Sequence, residues 1–262
     1  MPPLPWIDFS GRRPLGLAVF AWAALAGATA GGLAAVAIVR RRGWPLATAV
    51  AFCVFVGAAS WIGAHLLAVV AYHGEVLKAA PLKALTDVTN GTASAGGVVA
   101  GALAALAFAR LARRPPLDAL DATGAGVLVA LALGRVGCAL VHDHPGVPWP
   151  WFPSVDAPGG PRLDLGLLEA AACVVLAPFA LRRAFRAAPG AAARVFLLGY
   201  APVRFVLDAF RLSPETGADL AARGFVKASD LDPRHAALTA AQWACLAFVA
   251  GGLLLLRRRR RA

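Results

Sequence analysis

Paired cysteines are missing from this sequence. The four that are present, Cys53, Cys138, Cys173 and Cys245, each fall inside an apolar stretch, and no two stand in a C-x-x-C spacing. That pattern excludes a disulfide framework and the close-spaced ligands of a zinc module. Charge is scarce too: Asp, Glu, Lys and Arg make up 15% of the 262 residues, whereas 59% are hydrophobic. The mean hydropathy of +0.67 is more than one soluble core of this size can hide, so the composition is that of a membrane protein. Acids are outnumbered by bases, 14 to 26, for a net charge of +12. In a soluble chain that excess suggests nucleic acid. Here the basic residues sit in short bursts between apolar runs, a placement that reports topology, and no nucleic-acid partner is expected. A fixed-period repeat is also lacking. So is the roughly 7 to 15 residue apolar stretch of a signal peptide: the first run, Leu15 to Val39, is far longer, and no cleaved leader is expected.

What is present is a series of apolar runs, each long enough for a hydrocarbon core of about 30 Å. They cover 15–39, 46–72, 91–109, 122–141, 163–181, 195–211 and 238–256. The expectation is an all-α polytopic membrane protein with seven transmembrane helices, one domain over 1–262. Arginines cluster after the first run (Arg40 to Arg42), after the third (Arg110, Arg113, Arg114), between the fifth and sixth (Arg182, Arg183, Arg186, Arg194) and after the seventh (Arg257 to Arg261). These alternate loops share one side. The opposite segments carry Arg12, Arg13, Lys78, Lys83, Arg162, Arg223, Lys227 and Arg234 over longer stretches with most of the acids. The bias of Lys and Arg toward the cytoplasm puts the C-terminus inside and the N-terminus outside. Gly27, Gly31 and Gly32 in the first run, and Gly96, Gly97 and Gly101 in the third, have the spacing that lets helices approach closely.

Ionisable groups inside these runs mark either pairs or a site, because a charge near the bilayer centre costs on the order of 3 kcal/mol. Arg135, Glu169, Arg204 and Asp208 are the four that stand out. Arg204, Asp208 and Arg211 follow an i, i+4, i+7 spacing and share one helix face. Arg135, Arg204 and Arg211 all fall in the outer half of the membrane by this topology. Guanidiniums there are suited to gripping a phosphate, and the phosphates at that depth are lipid headgroups. His65 in the second run reads as a structural hydrogen-bonding group. Cys138 reads as a small packed residue.

The stretch Gly134-Arg135-Val136-Gly137-Cys138-Ala139-Leu140-Val141-His142-Asp143-His144-Pro145-Gly146 resembles the signature of the prolipoprotein diacylglyceryl transferases, G-R-x-G-N-F-x-N-x-E-x-x-G. Gly134, Arg135, Gly137 and Gly146 match, and Asp143 stands where the family has Glu. Tyr200 to Arg211 resembles a second block, Y-G-x-x-R-F-x-x-E-F-x-R, with Arg204 and Arg211 in place and Asp208 for Glu. Glu169 and Gln242 also fall at family positions. Three positions depart: the family histidine before Gly-Gly is Ala95, the early tyrosine is Leu15, and the signature asparagine is Cys138.

The resemblance implies transfer of the diacylglyceryl group of phosphatidylglycerol to the lipobox cysteine of a preprolipoprotein signal peptide, at the outer leaflet of a bacterial inner membrane. No cofactor and no metal are required for it. Arg135, Arg204, Arg211, Gly137 and Gly146 are expected at the headgroup, with Asp143, Glu169, Asp208 and Gln242 in support, and Arg204 is expected to be catalytic together with His142 or His144. For the missing base three readings of His142 and His144 stay open: one takes the thiol proton, both are interfacial residues satisfied by water and headgroups, or both join Asp143 around a metal. A degenerate relative that binds lipid or lipoprotein, or acts on a different acceptor, is the alternative to the enzyme. A transporter using Arg204 and Asp208 is a further one, disfavoured by the absence of matched inverted halves.

Overall fold

The computed structural model describes residues 1–16, 18–87, 91–226 and 231–259. Lys227, Arg260 and Arg261, used above as topology markers, lie outside the described residues, as do 88–90 and 228–230. The Ala-, Leu- and Val-rich runs form helices because Ala and Leu lose little on helix formation and a hydrocarbon solvent leaves backbone groups no other partners. The long helices are α1 (Val19–Arg41), α2 (Leu46–Tyr72), α5 (Ser94–Leu111), α6 (Pro116–Val141), α7 (Leu165–Arg186) and α11 (Ala240–Arg259); the short α3 (Gly74–Ala79) and α4 (Pro81–Thr86) follow α2. Six helices among the described residues are long and apolar enough to cross a membrane.

The run expected at 195–211 is not among those six. It is a succession of α8 (Ala191–Val195), a π turn (Phe196–Tyr200) and α9 (Ala201–Ala209), and α9 carries Arg204 and Asp208. Two ends also move. α1 starts at Val19, after an extended Ala18 (φ −61°, ψ 148°) and a turn in which Leu15 takes a left-handed φ of 52°, and α6 starts at Pro116, whose fixed φ suits a first helical turn.

Glycine sets the crossings. A Cβ on Gly27 or Gly31 of α1 would strike the Ala130 and Gly126 carbonyls of α6, and one on Gly96 or Gly101 of α5 would strike Gly63 and Ser60 of α2; Gly32 faces open space. At one end of the bundle Arg42 gathers three loops. Its guanidinium donates to the Ala184 and Ala187 carbonyls at 3.1 and 2.9 Å and lies 3.8 Å from both Asp118 and Asp121. Asp121 in turn accepts from the Gly190 and Ala193 amides, which starts α8.

The other end holds irregular chain, and the all-helical expectation omitted a small antiparallel sheet there. Its strands β1 (Pro145–Pro148), β2 (Ser154–Val155) and β3 (Arg162–Asp164) lie in the order β1-β3-β2. The proline-rich segment supplies it, since extended backbone is what prolines favour. The N-terminal segment adds a parallel bridge from Leu4 to Val155. α10 (Pro214–Ala222) completes this end, opened by a capping box of Ser213 and Thr216.

Candidate active site

Two buried guanidiniums from two helices meet at one carboxylate on a third. Glu169, one turn into α7 and 0% exposed, receives Arg135 of α6 at 3.0 Å and Arg204 of α9 at 3.1 Å on Oε2. Its Oε1 accepts the Tyr200 hydroxyl at 2.5 Å. The i, i+4 spacing on α9 brings Arg204 to within 2.8 Å of Asp208, and the i, i+3 spacing brings Arg211 to 3.2 Å of the same oxygen. Charges this deep persist only when compensated, and here each guanidinium has a carboxylate.

A second tier fixes the first. Arg211 pairs with Asp232 at 2.6 Å, and Asp232 accepts the Tyr72 hydroxyl at 2.7 Å. Thr239 donates its hydroxyl to Asp208. Gln242 of α11 accepts from the Thr239 amide at 3.0 Å and donates to the Phe205 carbonyl at 3.1 Å, which ties α11 to α9. The outer donors of Arg135 have neutral partners: NH2 donates to the Ser94 hydroxyl at 3.0 Å and NH1 to the Cys138 sulfur at 3.6 Å.

These groups form one wall of a cavity of about 920 Å³. Arg135, Arg204, Arg211, Cys138, Asp143 and His144 line it on the polar side, and Phe20, Leu67 and Leu131 of α1, α2 and α6 on the apolar side. A polar wall of guanidiniums facing an apolar wall is the shape of a site for an anionic amphiphile.

The histidines part company at the end of α6. His142 takes a left-handed conformation, φ 49° and ψ 40°, so the chain doubles back. Asp143 and His144 thereby return toward Cys138, and His144 Nε2 stands 3.9 Å from its sulfur. His144 Nδ1 lies 2.7 Å from the Asp143 carbonyl; a carbonyl only accepts, so Nδ1 carries the proton and Nε2 keeps a lone pair. Burial pushes this imidazole well below its ordinary pKa, with the charges of Arg211 and Arg135 acting in the same direction.

His142 is not brought to the cavity. It stacks on Trp6 at 3.7 Å, with Nδ1 2.5 Å from Asp164 and Nε2 3.2 Å from the Ile7 carbonyl. Burial lowers its pKa, but the Asp164 hydrogen bond and charge outweigh that, so the net shift is upward. Both partners are acceptors, which only the imidazolium satisfies in full. Gly137 and Gly146 also lie off the cavity wall. A Cβ on Gly137 would meet Ala23 of α1, and one on Gly146 would meet Leu163 of β3; Gly146 bridges the backbone of Arg211. His65 bonds the Leu85 carbonyl at 3.0 Å, a structural contact.

Sequence reasoning underweighted four participants. Tyr200 enters only as the opening residue of the second block, Asp232 carries no periodicity that marks it, Ser94 has no charge beside it to single it out, and Cys138 reads as packing. The signal for Tyr200 was its place four residues before Arg204, one turn away on a face already marked by charge. Ala95, at the position of the family histidine, lines the cavity, whereas Leu15 is 90% exposed.

A model of the prolipoprotein diacylglyceryl transferase family matches residues 9–258 of this chain. The chain is 31% identical over 189 residues to a phosphatidylglycerol–prolipoprotein diacylglyceryl transferase of Verminephrobacter eiseniae (strain EF01-2), covering 67% of this chain and 61% of that protein. It is 32% identical over 206 residues to the protein of the same name from Azoarcus sp. (strain BH72), covering 75% and 72%. A third of that name, from Sinorhizobium medicae (strain WSM419), is 34% identical over half of each chain.

Proposed function

The chain belongs to the prolipoprotein diacylglyceryl transferase family, and on that premise we propose that it transfers the diacylglyceryl group of phosphatidylglycerol to the lipobox cysteine of a preprolipoprotein signal peptide. The observation that carries this reading is the shared cavity of Arg135, Arg204, Arg211 and His144. In the reaction a thiolate attacks a glycerol carbon while the C–O bond to phosphate breaks. Such a step needs a proton acceptor at the sulfur and positive charge at the leaving glycerol phosphate.

Arg135 is best placed for the phosphate. Glu169 orients its guanidinium through Nε, while the hydroxyl and thiol on its outer nitrogens are neutral partners that a phosphate oxygen displaces. Arg204 and Arg211 add charge along the same wall. His144 is neutral at working pH and presents Nε2 for the thiol proton, standing in for the histidine that Ala95 replaces. His142, Gly137 and Gly146 act one step back: His142 holds the N-terminal segment, and the two glycines admit the packing that seats Arg135 and Arg211.

The residues 191–209 supply the seventh crossing in this reading. Nineteen helical residues rise about 28 Å, near the core thickness, and their charges face Glu169 instead of lipid. The Arg42 end is then cytoplasmic, and the sheet end, with the cavity, faces the outer leaflet of the inner membrane, the N-terminus outside and the C-terminus inside. Residues 1–262 form the one domain.

The test is the purified chain in phosphatidylglycerol liposomes with a lipobox peptide, followed by mass spectrometry of the peptide. A diacylglyceryl increment that vanishes in Arg135→Ala supports the transfer. Headgroup binding without any increment identifies a non-catalytic lipid binder instead.

A further inference from the structure

Cys138, Asp143 and His144 each offer one ligand atom, and these atoms all lie within 4.8 Å of one another on the cavity wall. We propose that they form a zinc(II) site whose open fourth position takes the acceptor thiol as a thiolate. The chemistry rests on the transfer reading above, although the binding of the metal does not.

Ligand geometry is close to what a tetrahedral ion needs. Zn–S near 2.3 Å and Zn–N near 2.0 Å put sulfur and nitrogen about 3.5 Å apart, and Cys138 Sγ and His144 Nε2 are 3.9 Å apart. The left-handed turn at His142 produces this convergence by folding the chain back over the last turn of α6. His144 is also prepared as a ligand. Its Nδ1–H is held by the Asp143 carbonyl at 2.7 Å, the arrangement that orients metal-binding imidazoles, which leaves Nε2 on the side of the Cys138 sulfur.

The nearby arginines do not forbid a cation. Arg135, Arg204 and Arg211 are matched by Glu169, Asp208 and Asp232, so the Asp143 carboxylate and a Cys138 thiolate are further negative charges in the same cluster. Three protein ligands with one open position is the pattern of a reactive zinc centre, not a structural one.

The step balances without another reactant. The lipobox thiol binds as fourth ligand and releases its proton to water. Its thiolate forms the C–S bond as the glycerol C–O bond breaks, and the electron pair leaves on glycerol phosphate beside Arg135. The thioether product is uncharged and a poor ligand, so it departs. His144 then ligates, and the metal takes over the activation assigned to the imidazole above. Cys138 itself does not serve as a carrier, because a thioether on it could not be passed on.

The full chain in nanodiscs, stripped with chelator, is titrated with cobalt(II) and read by absorbance. The expected result is one cobalt per chain with a sulfur-to-cobalt band. That band is lost in Cys138→Ser, binding is lost in His144→Gln, and Cys53→Ser, altered on α2 away from the cavity, leaves both unchanged. A lipobox peptide intensifies the band and its serine analogue does not. No sulfur-linked band, a band indifferent to Cys138→Ser, or one indifferent to the cysteine peptide overturns the site. If the peptide changes the spectrum yet zinc-loaded and metal-free protein both fail to lipidate it, the transfer reading fails while the thiol-binding metal stands.

Discussion

The Tyr200 hydroxyl lies 2.5 Å from Glu169, and the other oxygen of that carboxylate holds both Arg135 and Arg204. One fully buried acid therefore orients guanidiniums from two helices, and the tyrosine fixes the acid.

Glu169→Gln strips buried Arg135 of its carboxylate and leaves Arg204 with Asp208 alone. The expected cost is about 3–5 kcal/mol, read as a lower unfolding temperature in detergent together with loss of lipid transfer. Tyr200→Phe should cost less, about 1.5–3 kcal/mol. Equal effects from the two would show that Glu169 is not the hub.

Arg135→Lys keeps the charge and removes the fork. Lysine cannot hold Glu169, Ser94 and a phosphate at once, so the transfer rate should fall by about 10²-fold or more despite the conserved charge. A lysine variant with near-normal rate would mean that only the field at this position matters.

His142 tethers the N-terminal segment as an imidazolium. Its pKa is raised on folding, so the stabilisation is fully present below the unfolded value near 6.5 and is lost as pH rises through the higher folded value. Hydrogen exchange of residues 1–10 should accelerate over that rise. In His142→Gln the exchange, after correction for intrinsic rates, should show no such step.

Gly31→Leu pushes a side chain into the Gly126 carbonyl at the α1–α6 crossing. Overpacking of about 1–3 kcal/mol or more is expected, while Gly32→Leu, facing open space, should be tolerated. Similar losses from both would place the crossing elsewhere.

Much of the architecture was readable because the bilayer allows few solutions. Apolar runs marked six helices, and Gly27, Gly31, Gly96 and Gly101 marked their crossings. The spacing of Arg204, Asp208 and Arg211 marked a charged face. Their partners were harder to see: Glu169 meets Arg135 and Arg204 only through tertiary packing, and no local pattern announces Asp232. The split between His142 and His144 was illegible, since two residues of the same type two positions apart are separated by one left-handed backbone angle. The small sheet was missed because Pro145 to Pro161 reads as loop by composition.

The π turn at Phe196–Tyr200 gives the helix that bears Arg204 a phase offset. One extra residue in a turn rotates everything beyond it by about 100°. The Asp121-capped start at Ala191–Ala193 and the charged face at Arg204 and Asp208 are thus aimed independently along a single rod. Deleting one codon anywhere in 196–199 would straighten the helical repeat, keep every functional side chain, and swing the charged face away from Glu169. In this segment the reading frame of the helix, as much as the identity of its residues, is what a descendant of this chain must inherit.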